Sequence, residues 1–167
     1  MSTLAFIDGQ NLHLGTKEES WTVDLARFRV YLKDKYAVTE AYYFLGYVRD
    51  DVTTQTLYTT IQKAGFILIF KEHSASMYGQ KKGNVDTDIV FEMFRHLIDD
   101  REQPHIVLVS GDGDYKKVVD YLISKKLFKK ILFPNKKYAS SLYKKLGAEY
   151  YDYLHNVRSY IERKSTQ

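Results

Sequence analysis

Residues 105–115 read HIVLVSGDGDY, and this stretch decides the fold. Its first five residues form a short, almost continuously apolar run, which is typical of a strand buried on both faces of a sheet. Gly111 and Gly113 then let the chain turn sharply into a helix predicted over residues 115–125. A strand that leads directly into a helix is the first part of a βαβ unit, so this stretch predicts a parallel sheet.

The same alternation of strand and helix patterns extends along the rest of the chain. Strands are predicted at residues 4–8, 39–48, 66–71, 105–109, 130–133 and 149–151. Helices are predicted at residues 23–36 (with Asp24 as N-cap), 51–64, 86–99, 115–125, 138–146 and 154–163, with a polar loop at 79–84. The pattern predicts one α/β domain over residues 1–167 (core about 4–153), with helices on both faces of a mainly parallel central sheet.

Composition and charge limit the classes of function. The chain has 167 residues, a net charge of +4 and no cysteine. That length is sufficient for one hydrophobic core, and the lack of cysteine excludes disulfides, thiolate metal sites and cysteine nucleophiles. No run approaches the ~20 apolar residues that a membrane span needs, and the N-terminus does not resemble a signal peptide, so we expect a soluble cytoplasmic protein. The positive charge favours a polyanionic partner.

Five aspartates lie in three short motifs where predicted strands end or helices begin. They are Asp8 in FIDGQN, Asp86 and Asp88 in KGNVDTD, and Asp112 and Asp114 in SGDGDY. Loops at the carboxyl ends of parallel strands converge on one edge of the sheet, where carboxylates repel one another unless a cation lies between them. Hard divalent ions such as Mg²⁺ prefer oxygen ligands. Each motif taken singly also fits an ordinary turn or helix cap, but all three together predict a metal-dependent site that acts on phosphates.

Four polar side chains beside these motifs are predicted to bind substrate. Asn11 is placed to hold the Asp8 carboxylate or a substrate phosphate, and Ser110 adds a hydroxyl next to the glycine turn. Lys82 and Lys116 belong to lysine pairs that adjoin acidic motifs, so we predict that they position phosphates.

The spacing of residues in these motifs argues against three other kinds of site. A haloacid-dehalogenase phosphatase has a second aspartate two residues after the first, where this chain has Gln10. The third glycine of a G-x-G-x-x-G dinucleotide motif is replaced by Lys116. An EF-hand loop would need an oxygen ligand and a glycine where Lys116 and Lys117 stand.

Taken together, FIDGQN, KGNVDTD and VSGDGDY, in this order and at this spacing, resemble the NYN domain of the LabA-like proteins, a branch of the PIN-like nuclease superfamily. The resemblance covers about residues 4–153 and implies a PIN-like, three-layer α/β/α (Rossmannoid) fold with the first strand central. It also implies cleavage of RNA with Mg²⁺ or Mn²⁺. Tyr115 stands where relatives often carry phenylalanine.

The resemblance assigns roles to the acidic residues. It implies that Asp8, Asp86 and Asp112 form the acidic metal site and that Asn11, Asp88 and Asp114 support it. We therefore predict Asp8, Asp86, Asp88 and Asp112 as metal ligands and Asp8, Asp86, Asp112 and Asp114 as catalytic residues. The predicted partner is RNA, single-stranded in our interpretation. The alternative is a non-catalytic RNA-binding or regulatory protein that keeps the NYN fold. The sequence leaves the oligomeric state open, with a homodimer among the options.

Overall fold

Six parallel strands form a single sheet in the computed structural model, which describes residues 1–46, 51–71 and 85–165. The strands are β1 (Thr3–Asp8), β2 (Glu40–Leu45), β3 (Ile67–Phe70), β4 (His105–Val109), β5 (Phe128–Phe133) and β6 (Tyr151–Tyr153). Their order is β3-β2-β1-β4-β5-β6, so β1 lies near the centre, paired on one side with β2 and on the other with β4. This confirms the predicted α/β class and the parallel sheet.

Helices cover both faces of the sheet and complete three layers. They are α1 (Gly9–Glu18), α2 (Leu25–Tyr36), α3 (Val52–Lys63), α4 (Asp86–Asp99), α5 (Lys116–Ser124) and α6 (Arg158–Ile161). Because side chains alternate along a strand, Leu4 and Phe6 of β1 pack with α4 and α5, whereas Ala5 and Ile7 pack with the other four helices. No helix among the described residues is long and apolar enough to cross a membrane.

Helix α1 was absent from the sequence prediction. It follows β1 without a break, and Asp8 caps it by accepting the backbone N–H of Asn11 at 3.1 Å. Besides Gly9, only Leu12 and Thr16 of this helix are buried, so its apolar stripe is too thin to be recognised. Gly9 is required by space, since a Cβ there would lie 2.5 Å from the Tyr43 ring.

The C-terminal third of the chain differs most from prediction. The helix predicted at residues 138–146 is wrong, because that segment contains only the 3₁₀ turn Ser141–Tyr143. Its backbone is used elsewhere: the N–H of Ser140 donates to the carbonyl of Gly111 at 2.9 Å, in the loop after β4. The N–H groups of Tyr143, Lys144 and Leu146 donate to carbonyls three residues back, which is the pattern of 3₁₀ turns and not of a continuous α-helix.

Several boundaries differ from prediction as well. The strand predicted at 149–151 lies at Tyr151–Tyr153, after a 3₁₀ turn. The helix predicted at 154–163 is a 3₁₀ turn followed by the single turn α6. The predicted loop at 79–84 lies outside the described residues.

The strand order creates the crevice in which the site lies. From β1 the chain passes outward to β2 and β3, and from β4 it passes outward in the opposite direction to β5 and β6. In open parallel sheets, the crevice between the two strands where the direction reverses is the usual place for a ligand. Here it lies between the carboxyl ends of β1 and β4, where Ile7 is level with Val109.

Candidate functional site

Asp8 is the most deeply placed acid of the site. It is the last residue of β1 and is only 5% exposed. One carboxylate oxygen accepts the backbone N–H of Asn11 at 3.1 Å, and the other accepts the hydroxyl of Tyr115 at 3.2 Å. Burial raises the pKa of the Asp8 carboxyl above its ordinary value, the two hydrogen bonds lower it, and the charges of Asp112 and Asp86 raise it further.

A side-chain bridge joins the ends of β1 and β4. The amide oxygen of Asn11 accepts the backbone N–H of Gly111 at 2.8 Å. Asn11 therefore holds Asp8 through its backbone and the loop after β4 through its side chain. Ser110 is fully buried, and its hydroxyl oxygen accepts the backbone N–H of Asp112 at 3.1 Å. Its hydroxyl oxygen thus shapes the loop after β4, and the predicted contact of Ser110 with substrate stays a prediction.

Asp112 lies on a turn that is fixed from two sides. Its carboxylate accepts the backbone N–H of Asp114 at 2.9 Å, and its carbonyl accepts the hydroxyl of Tyr143 at 2.6 Å. Gly113 fits because a Cβ there would lie 2.5 Å from the hydroxyl of Ser140. The glycine turn thus packs tightly against the loop after β5.

Asp86 and Asp88 occupy the first turn of α4. The charge of Asp112 raises the pKa of the Asp114 carboxyl, and a hydrogen bond between the Asp114 and Asp86 side chains raises it further. Two carboxyl groups can share a hydrogen bond only if one carries a proton, so this contact marks the place where a cation would relieve the repulsion. Asp88 is partly buried and is not among the charges that raise the pKa of Asp114.

The structure therefore brings together Asp8, Asp86, Asp112 and Asp114. Lys116 forms an ion pair with Asp120, one turn further along α5. Lys82 lies outside the described residues.

The available oxygen ligands determine which kind of metal coordination the site fits. Within the described ranges of the chain, no three His, Cys, Asp or Glu side chains form a ready-made metal site. Mg²⁺ commonly keeps several waters and binds through one or two carboxylates together with substrate phosphates. A pair such as Asp8 and Asp112, with Asp86 close enough to shift the pKa of Asp8, fits that water-rich arrangement better than an all-protein cage.

A cavity of about 480 Å³ opens beside the carboxylates. Besides Asp8, Asn11 and Asp112, it is lined by residues from α1 and from the loop after β5, among them Leu14, Gly15, Glu18, Asn135 and Tyr138. Sequence reasoning missed these residues, because α1 was not predicted and residues 138–146 were assigned to a helix. It also missed the hydrogen bonds of the Tyr115 and Tyr143 hydroxyls to Asp8 and Asp112.

Comparison with known proteins agrees with the motifs. The family model described as the NYN domain matches residues 2–153. The chain is 25% identical, over 95% of its length and 86% of the relative's, to the low amplitude and bright protein LabA of Synechococcus elongatus. A protein of unknown function from Vibrio parahaemolyticus has a similar fold, with a TM-score of 0.68 and 18% identity over 92% of each chain. The chain thus belongs to the NYN domain family, within a nuclease-like superfamily.

Proposed function

We propose that the protein is a metal-dependent ribonuclease that hydrolyses phosphodiester bonds in single-stranded RNA. The observation that supports this most is the convergence of four aspartates where the strand order reverses, with Asp86 close enough to Asp114 to raise the pKa of its carboxyl. Such a group would repel an anionic phosphodiester unless a cation were bound among the carboxylates. Membership of the NYN domain family supports the same chemistry.

Mg²⁺ or Mn²⁺ is the cofactor that this donor set suits. Asp8, Asp86 and Asp112 would hold it, and Asp88 and Asp114 would support them. When bound, such an ion neutralises phosphate charge and lowers the pKa of a coordinated water.

The remaining residues have positioning roles. The hydroxyl of Tyr115 and the backbone N–H of Asn11 fix both oxygens of Asp8, so this carboxylate keeps one orientation when substrate arrives. The exposed ion pair of Lys116 with Asp120 is weak in water, so a phosphate can compete for the lysine amine.

Turnover of labelled single-stranded RNA with Mg²⁺ or Mn²⁺ tests the proposal. Asp8→Asn and Asp112→Asn should each lower the cleavage rate by more than the roughly 10- to 100-fold typical of residues that only support metal ligands. Asp34→Asn is the matched control, since Asp34 is an exposed aspartate on α2. Cleavage that persists in both site variants would contradict the assignment.

A non-catalytic RNA-binding or regulatory protein is the second candidate. It is favoured by the absence, among the described residues, of a ready-made set of three metal ligands. RNA binding without turnover under any of these metal conditions would support it.

A further inference from the structure

The cavity beside the carboxylates has two exposed apolar side chains on different walls. Leu14 of α1 is 50% exposed and Tyr138 of the loop after β5 is 57% exposed, and both line the same cavity. Most large apolar side chains among the described residues are buried, so two exposed ones at one cavity indicate a place for a partly apolar ligand.

The walls that carry these side chains are firmly joined. A Cβ on Gly15 would lie 2.7 Å from Pro134, so α1 and the loop after β5 are in close contact. Asn135 is 5% exposed, and its side-chain amide donates to the carbonyl of Gly15 at 2.9 Å. Its oxygen accepts the backbone N–H groups of Lys137 at 2.9 Å and Tyr138 at 3.3 Å. The backbone that presents the Tyr138 ring is therefore held in place before any ligand arrives.

Charge divides the cavity into two ends. Asp8 and Asp112 lie at the end formed by the strand termini, whereas Leu14 and Glu18 are on the later turns of α1. Because α1 rises ~1.5 Å per residue, Glu18 lies about 15 Å along the helix axis from Asp8. Glu18 disfavours a phosphate at its own end, so the phosphate belongs with the metal-binding carboxylates and an uncharged group belongs between Leu14 and Tyr138.

We propose that this end of the cavity is a nucleobase subsite, in which one base of the RNA stacks on Tyr138 and contacts Leu14. The proposal rests on the proposed function, since the phosphate attached to that nucleotide would lie at the carboxylates. Every base has a stacking face, so the subsite holds RNA with little preference for sequence. The Lys137 amine lies over one face of the Tyr138 ring, 5.5 Å from its centre, so the base would stack on the opposite face.

A binding experiment with two matched ligands tests the subsite. A nucleoside 5′-monophosphate and ribose 5-phosphate carry the same phosphate and sugar and differ only in the base. Titrated in Ca²⁺, the nucleotide should bind more tightly to the wild type. Tyr138→Ala should remove that difference, a loss of roughly 5- to 150-fold for one base–aromatic stack. Tyr138→Phe keeps the ring and should behave as the wild type.

A fluorescent RNA gives a second readout. Single-stranded RNA containing 2-aminopurine should be quenched on binding to the wild type, and the quenching should fall in Tyr138→Ala. The control is Tyr160→Ala, which removes a 73% exposed tyrosine from α6. It should leave both readouts unchanged.

The outcomes separate this proposal from the nuclease assignment. Equal affinity for the two small ligands, or unaltered quenching in Tyr138→Ala, overturns the subsite whether or not RNA is cleaved. A wild type that binds neither ligand overturns it as well. Base-dependent binding that needs Tyr138, in a protein that cleaves no RNA, supports the subsite and contradicts only the nuclease.

Discussion

The two halves of the acidic site are built in different ways. In the sheet half, Asp8 is buried and both of its oxygens accept hydrogen bonds, from Asn11 and Tyr115. In the outer half, Asp114 is exposed and contacts Asp86, whose helix α4 has no side-chain N-cap. Hydrogen bonds fix the first half, whereas mutual repulsion between carboxylates dominates the second.

This difference shows how such a site can have a fixed carboxylate orientation and still favour the binding of a cation. The sheet half is organised before any ion binds, because its carboxylate is oriented by neutral donors. In the outer half the carboxylates repel one another, and a bound cation would relieve that repulsion. The two halves should therefore respond differently to metal, to loss of a hydroxyl and to salt.

The largest effect should come from metal in the outer half. An ion that binds only the folded protein stabilises it by about 2.7 kcal/mol when its free concentration is about 100 times Kd. Millimolar Mg²⁺ or Mn²⁺ should thus raise the melting temperature, and Asp86→Ala should reduce that rise because it removes one charged ligand. Thermal unfolding followed by circular dichroism measures both. The comparison fails if neither ion shifts the melting temperature of the wild type over a wide concentration range.

The pH dependence of the metal-free protein tests the stored repulsion. Both Asp8 and Asp114 have a raised carboxyl pKa in the folded state, through burial and through the charge of Asp112 respectively. The folded state then holds protons more tightly than the unfolded state, so the stability they contribute is present at low pH and lost as pH rises through the folded pKa values. The metal-free wild type should therefore lose this stability as pH rises from the ordinary aspartate pKa of 3.8 through the raised folded-state pKa values. The melting temperature of Asp114→Asn should depend less on pH over the same range, because this variant lacks one of the two carboxyl groups.

A smaller effect should follow from removing the Tyr115 hydroxyl in the sheet half. Tyr115→Phe takes a donor away from a buried carboxylate, and hydrogen bonds to charged groups contribute about 1.5–3 kcal/mol. Tyr143→Phe is the matched control, since its hydroxyl donates to the neutral carbonyl of Asp112 and should cost only about 0.5–1.5 kcal/mol. Urea unfolding of the metal-free proteins measures both losses. Equal losses in the two variants would mean that the Asp8 charge is not what Tyr115 stabilises.

The sequence predicted most of the fold because the spacing of apolar residues distinguishes buried strands from amphipathic helices. The strand at 105–109 and the helix at 86–99 have the predicted bounds, and Asp24 caps α2 as expected. Helix α1 was missed because only a thin stripe of it is buried. Residues 138–146 were misassigned because their apolar spacing resembles a helix, whereas their backbone N–H groups bond three residues back in 3₁₀ turns.

The candidate site was likewise predicted only in part. That Asp8 and Asp112 meet follows from parallel strands ending at one edge, so motif position alone predicted it. Motif position did not predict that the side chains of Asn11 and Ser110 accept backbone N–H groups of the loop after β4, at Gly111 and Asp112. The substrate contacts of both residues stay predictions. The sequence did not identify Tyr138 as a site residue, because its position at the cavity depends on a contact between α1 and the loop after β5.

The smallest expected effect concerns the contribution of the lysines beside the outer half to RNA affinity. Lysines contact phosphates without reading bases, so single-stranded RNA should bind with weak sequence preference and with affinity that falls steeply with salt. Lys116 is half of an exposed ion pair and Lys117 is exposed beside it at the start of α5. Replacing both with alanine should weaken binding to all sequences about equally. It should also flatten the slope of log K against log salt by up to about 0.7 for each phosphate that these lysines neutralise in the wild type.

The matched control is the double replacement of Lys33 and Lys35, two exposed lysines on α2, which packs on the opposite face of the sheet from α5. Fluorescence anisotropy at several salt concentrations, with Ca²⁺ present, measures both slopes. Omitting Ca²⁺ should weaken binding of the wild type, because the bare carboxylates repel the RNA backbone. An equal change of slope in both double variants would show that the charge acts as a diffuse field over the whole surface. Salt-insensitive binding, or strong preference for one short sequence, would instead mean that the protein recognises RNA through its bases.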